Sequence, residues 1–341
     1  MPVSVSFASA DHGWVLGDAP CASPPCTSIL RTRDGGKTWQ GIPAPKATVQ
    51  TKGSEVGPGI TAQVARIRFA DDNDGWAFGT DVYATHDGGG TWATATLSGA
   101  TGDQVISLEA GGGTAWAVVA HCGANPDRCG SISLYRSAVG SDSWRAVGDP
   151  VDAMTAPGVF SGHAAQLVVR GGDRWVLAGD RLYGGPADQP LQPLSEPCSR
   201  FLPVGSGQGP HLAAADASHL DVMCTGGPSS GSAPKQLLGS TDGGRSWSAA
   251  GPRIIGLSGQ DGLADNGKGV LLSAESSAAA RVNRTTDDGG SFTLVLEDKD
   301  GHGWIDLGFT TPQQAVAVSV GRTLYLSHDA GATWSPVGFA S

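Results

Sequence analysis

Short apolar runs alternate with polar, glycine-rich turns along the whole chain, and they come in groups of four. The first run of each group reads VSVSF, VARIRF, QVISL, AQLVV, HLAAA, a weaker stretch near 257–264, and IDLGF. The second reads WVLG from Trp14, WAFG from Trp76, WAVV from Trp116, WVLA from Trp175, DVMC from Asp221, VLLS from Val270 and AVAVSV from Ala315. The third runs are SILR, VYAT, SLYR, RLYG, QLLG, RVNR and LYLS, and a fourth follows the turn after each. Such runs between Gly, Asp and Ser clusters read as β-strands. No helical period of useful length lies between them. Four short strands repeated seven times predict an all-β fold, a single seven-bladed β-propeller of four-stranded antiparallel blades. The blades fall near 1–42, 62–97, 103–148, 163–195, 210–250, 254–296 and 303–341, which leaves one domain.

The turn after the third run repeats more tightly than the strands. It reads TRDGGKTW at 32–39, THDGGGTW at 85–92, STDGGRSW at 240–247, TTDDGGSF at 285–292 and SHDAGATW at 327–334. A decayed copy, SAVGSDSW, occupies 137–144, and the place of a seventh near residue 185 holds RLYGGPADQPLQPL without the motif. Asp followed by Gly suits a tight hairpin, with Gly supplying positive φ and the carboxylate bonding nearby N–H groups. The motif resembles the Asp-box, or BNR, repeat of sialidases, sortilin-type receptors, photosystem II assembly-factor propellers and some endoglucanases. That resemblance implies Asp-box hairpins between strands c and d of each blade. It makes Asp34, Asp87, Asp242, Asp287 and Asp329 turn staples, and it leaves function open, since these families do unrelated things on one scaffold.

Lettering the strands a to d outward, one rim of the propeller carries the a–b and c–d turns, which are all short. The other carries the b–c and d–a connections, including 18–28, 41–61, 121–131, 148–162, 193–209 and 225–234. Long connections in a compact domain usually have a function, so a ligand is expected on this loop rim.

The six cysteines fall on or beside the same connections. Cys21 and Cys26 share one loop, Cys122 and Cys129 another, and Cys198 and Cys224 remain to pair by elimination. Neither loop has zinc spacing, so no metal is expected, and disulfides in an oxidising compartment are the reading set against free thiols. A secreted or cell-envelope location follows, with a leader peptide trimmed from this chain. The net charge of −10 lacks the basic footprint of a nucleic-acid binder. No run reaches the ~20 apolar residues of a membrane helix. A monomer without cofactors is expected.

Subtracting repeat positions isolates the unusual side chains. Nine of the ten Trp sit in a box or open strand b, so Trp304 stands alone. It lies beside His302 and Asp306 near the expected channel mouth, where it would either stack on a planar ligand or plug the pore. Arg66 and Arg68 share one side of an inner strand and would hold a carboxylate or phosphate, or pair with Asp306. His163, Gln166 and His211 complete the polar inner-strand set. The four Tyr (Tyr83, Tyr135, Tyr183, Tyr325) take one equivalent strand-c place and read as core.

Two functions remain in view. One is a scaffold that binds a protein, peptide or glycan on the loop rim. The other is a carbohydrate-active enzyme, a glycoside hydrolase or polysaccharide lyase, at the channel mouth of the same rim. Sialidase residues do not carry over, because no Arg-Ile-Pro precedes the first box and every Tyr belongs to the repeat. No Ser-His-Asp elbow or phosphate loop is visible. The ring is expected to close without an exchanged strand.

Overall fold

The computed structural model describes residues 1–21, 26–49, 63–97, 102–122, 129–152, 165–186, 189–201, 209–226, 233–256 and 259–339. Seven antiparallel sheets follow one another along the chain, each with its strands in sequence order from the axis outward. The innermost strands are Pro2–Phe7, Gln63–Phe69, Asp103–Gly111, Ala165–Arg170, His211–Ala214, Gly259–Asp265 and Trp304–Phe309. They define a seven-bladed β-propeller.

Three blades exceed the four expected strands. Thr48–Val49 pairs in parallel with the inner strand of blade two. Val151–Asp152 and Ile254–Gly256 pair with the third strands of blades three and five. All three come from d–a connections, so these loops begin or end hydrogen-bonded to the loop rim.

The repeated turn has one geometry in five blades. In blade one Thr32 Oγ1 donates to Asp34 Oδ1 at 2.8 Å and accepts from Gly36 N–H at 2.9 Å. Asp34 also accepts from the Thr38 N–H at 2.9 Å and from the Thr38 hydroxyl at 2.5 Å. The same bonds surround Asp87, Asp242, Asp287 and Asp329. Hydrogen bonds from Thr38 and Thr32 hold the Asp34 carboxyl down at about 2. The second glycine of the turn docks on the preceding blade. Gly36 has φ 89°, and a Cβ there would meet Leu326 Cδ1 of blade seven at 2.3 Å, so both conformation and contact require glycine.

Blades pack face to face through the strand-b tryptophans. Trp14 stacks on Phe69 at 3.7 Å and donates from Nε1 to Gly88 O in the turn of blade two. Trp175 donates likewise to Gly243 O of blade five at 3.1 Å. Tyr83, Tyr135, Tyr183 and Tyr325 pair with Ala77, Ala117, Val176 and Ala317 of their own second strands, one equivalent register.

The ring closes without strand exchange, blade one and blade seven each being built from one end of the chain. Arg322 Nη1 reaches Asp18 Oδ1 at 2.5 Å, and Gln314 Nε2 donates to Ala10 O at 2.9 Å. Beneath them Val5, Val15, Val316, Val318, Leu324 and Leu326 form one apolar cluster.

Candidate functional site

Each innermost strand, that of blade two beyond the Gln63–Val64 stretch paired with Thr48–Val49, has an edge whose N–H and C=O groups face the channel and need partners. Side chains of an adjacent blade supply them at all seven junctions. Ser4 and Ser6 of blade one accept from the Ile67 and Phe69 N–H groups of blade two at 3.3 and 2.8 Å. Arg68 Nε donates to Leu108 O of blade three at 3.4 Å. Ser107 accepts from the Leu167 N–H of blade four at 3.3 Å. Gln166 Oε1 accepts from the Leu212 N–H of blade five at 2.8 Å, and Arg170 Nε donates to Ala214 O at 2.9 Å. His211 Nε2 lies 3.1 Å from Gln260 O of blade six. Asp261 Oδ2 accepts from the Trp304 N–H of blade seven at 2.9 Å, and Asp306 Oδ2 accepts from the Val5 N–H of blade one at 3.3 Å.

Most polar residues singled out from sequence are therefore members of this ring of inter-blade bonds. Arg66 and Arg68 do share one side of their strand, and both line the channel, a cavity of about 250 Å³. Arg66 Nη1 reaches past blade one to Ile305 O at 3.5 Å. The ionic partner of Arg68 is Glu109 at 2.9 Å. Burial disfavours the Arg68 charge, but Glu109 and Asp306 outweigh it and raise its pKa. The Glu109 pKa is also raised, chiefly by burial, with Arg68 opposing. Three guanidiniums (Arg66, Arg68, Arg170) and four carboxylates (Glu109, Asp261, Asp265, Asp306) line the cavity together.

Trp304 corrects the sequence expectation. It is 1% exposed and wedged against Ala264, Leu272, Ala274 and Val282 of blade six. Its Nε1 donates to Arg281 O at 2.9 Å, and its ring meets Tyr325 edge-on at 6.0 Å. No ring face is left for a ligand to stack on. His302 is exposed, with φ 55°, and is not among the channel-lining residues. His163 lies outside the described residues.

The loop rim carries the three disulfides, Cys21–Cys26, Cys122–Cys129 and Cys198–Cys224. The first two close b–c connections. The third ties the d–a connection after blade four to the end of the second strand of blade five. Asp180 supports it, accepting from the Cys198 N–H at 2.9 Å. Burial, with Glu196 nearby, pushes the Asp180 carboxyl up to about 6. Among the described residues no group of three or more His, Cys, Asp or Glu side chains is placed to hold a metal ion.

One constellation on this rim has no signature in residue spacing. Asp103, His121 and Ser133 sit on three successive strands of blade three and form a continuous hydrogen-bonded chain. Only strand register brings them together, and a repeat alignment of the blades would be the signal to look for.

No protein-family model and no curated protein matches the sequence. Solved structures do resemble the fold. YCF48 bound to D1 peptide superposes with a TM-score of 0.63 at 17% identity, over 96% of this chain and 93% of that one. YCF48 from Cyanidioschyzon merolae gives 0.63 at 16% identity, over 96% and 95%. U3-55K gives 0.56 at 11% identity, over 93% and 88%. At these identities the likeness is one of propeller fold.

Proposed function

We propose that the chain is a binding propeller of an oxidising, extracytoplasmic compartment that recognises a protein, peptide or glycan on its loop rim. The observation that carries this is the difference between the two rims. One is closed by short hairpins in which the same hydroxyl–carboxylate bonds recur five times. The other gathers all three disulfides, the three accessory strands and the long connections. Cross-links that brace loops reduce the ordering cost of binding. The resemblance to YCF48, whose structure holds a D1 peptide, supports a peptide or protein as the first partner to try.

Peptide and glycan arrays probed with the intact protein test the proposal. Replacing the connection between Thr225 and Ala233 with a two-residue Asn-Gly turn is expected to weaken array-identified binding by ~10-fold or more, about 1.4 kcal/mol. A box-rim change, Lys37→Glu, is expected to leave binding as it is. Binding that survives the loop replacement and is lost with Lys37→Glu would contradict the assignment of the rim.

A further inference from the structure

Blade three holds a hydrogen-bonded relay that ligand recognition does not require. Asp103 opens its innermost strand, His121 closes the second and Ser133 lies within the third. Asp103 pairs in register with His121, and His121 with Ser131, two residues before Ser133. Strand alternation therefore puts all three side chains on one face, the face that packs Val105, Val119 and Tyr135 against Val82 of blade two. Asp103 Oδ2 lies 2.9 Å from His121 Nδ1, and Ser133 Oγ lies 2.7 Å from His121 Nε2. The Asp103 and His121 side chains are 8% and 26% exposed, and Ser133 is 6% exposed. The carboxylate is thus inside and the imidazole reaches the surface. The Cys122–Cys129 bridge ties together the strand ends that carry base and nucleophile.

We propose that Ser133, His121 and Asp103 act as nucleophile, general base and positioning residue in the hydrolysis of small activated esters. With Nδ1–H donated to Asp103, the Nε2 lone pair faces the Ser133 hydroxyl, the tautomer a base needs. Ser133 Oγ attacks the ester carbonyl carbon while its proton passes to Nε2. The bond from that carbon to the leaving oxygen breaks, and the leaving oxygen takes the proton from Nε2. Water then attacks the acyl-serine, His121 accepts its proton and returns it to Oγ, and the carboxylic acid departs. Ester and water become acid and alcohol, with no other reactant. Ser133 is only 6% exposed, so a small acyl group is the one expected to reach it. The nearby Gly130 N–H is taken by His121 O at 3.0 Å, which favours esters whose leaving group departs with little help to the oxyanion.

The test uses the intact, oxidised protein with a fluorophosphonate probe and p-nitrophenyl acetate, neither of which reports on array binding. One phosphonyl adduct is expected, on the peptide that contains Ser133, and none in urea. Ser133→Ala and His121→Gln are each expected to lower kcat/KM by ~10²-fold or more. Asp103→Asn should lower kcat at least ~10-fold with KM unchanged, as expected of a residue that fixes a tautomer. Circular dichroism and Tm establish that each variant is folded. Should Ser133→Ala fail to fold, Ser133→Cys replaces it, and iodoacetamide is then expected to alkylate that thiol faster with His121 present than when His121→Gln is added. No adduct in the folded protein, an adduct elsewhere, alkylation indifferent to His121, or an ester rate unchanged in folded Ser133→Ala overturns the proposal.

Discussion

Alanine at Trp304 is expected to cost about 3–5 kcal/mol of folding stability and to leave loop-rim binding unchanged in the protein that remains folded. The indole is 1% exposed and fills space over Ala264, Ala274 and Ala280 of blade six. Truncation would open a cavity at the junction of blades six and seven. It would also remove the 2.9 Å bond from Nε1 to Arg281 O, a hydrogen bond worth about 0.5–1.5 kcal/mol. Phenylalanine at the same place keeps most of the volume and loses only the N–H, so it should fall between wild type and alanine. Urea titration of the three proteins gives the ordering directly. A wild-type midpoint for Trp304→Ala together with lost ligand binding would mean that the ring faces a ligand.

Arg174→Ala is expected to be of similar size, about 3 kcal/mol or more. Blade four lacks the repeated turn, and Arg174, on its second strand, takes over the work of holding the c–d connection. Its Nη1 donates to Gly185 O at 3.2 Å and to Pro186 O, and its Nη2 donates to Gln189 O. The guanidinium lies 4.5 Å over the Trp116 ring of blade three, and the residue is fully buried. Removing it strips Gly185 O, Pro186 O and Gln189 O of their guanidinium bonds, although Pro186 O keeps the Gln189 N–H at 3.1 Å, and it leaves a void beside an indole. Arg174→Met restores volume without donors, so it should recover only a minor part of the loss. Calorimetry of both variants checks this, and a methionine variant as stable as wild type would show that the connection holds itself.

The pattern of strands and turns was legible because each blade needs the same hairpin, and the hairpin needs the same residues. The pairing of the cysteines was legible because two pairs close short loops. For the polar inner strands the sequence leaves ligand contact and structural pairing both open, for a physical reason. Polar residues off the repeat look available for a ligand when only their own strand is considered. Yet the inner strand is an edge, and the groups that satisfy it come from a different blade, 40 to 63 residues away for Arg68 and Ser6 and 301 for Asp306. Trp304 is open in sequence in the same way, between stacking on a ligand and packing, since the alanines it covers lie in another blade and nothing local marks the match in volume. Arg174 sat unnoticed in an ordinary strand start, its role visible only once the missing turn of blade four is placed beside it. Asp103, His121 and Ser133 are brought together by register alone.

Hydrogen exchange at the channel-facing amides tests most directly whether the inner side chains hold the blades together. Val5, Ile67, Phe69, Leu167, Leu212 and Trp304 donate to side chains of a neighbouring blade and not to a strand. Their exchange should be as slow as that of central strands and follow global unfolding, with Ser6→Ala releasing Phe69 selectively. Rapid exchange at these six amides in the native protein would mean an open, solvated edge, and the channel would again be the first place to look for a ligand.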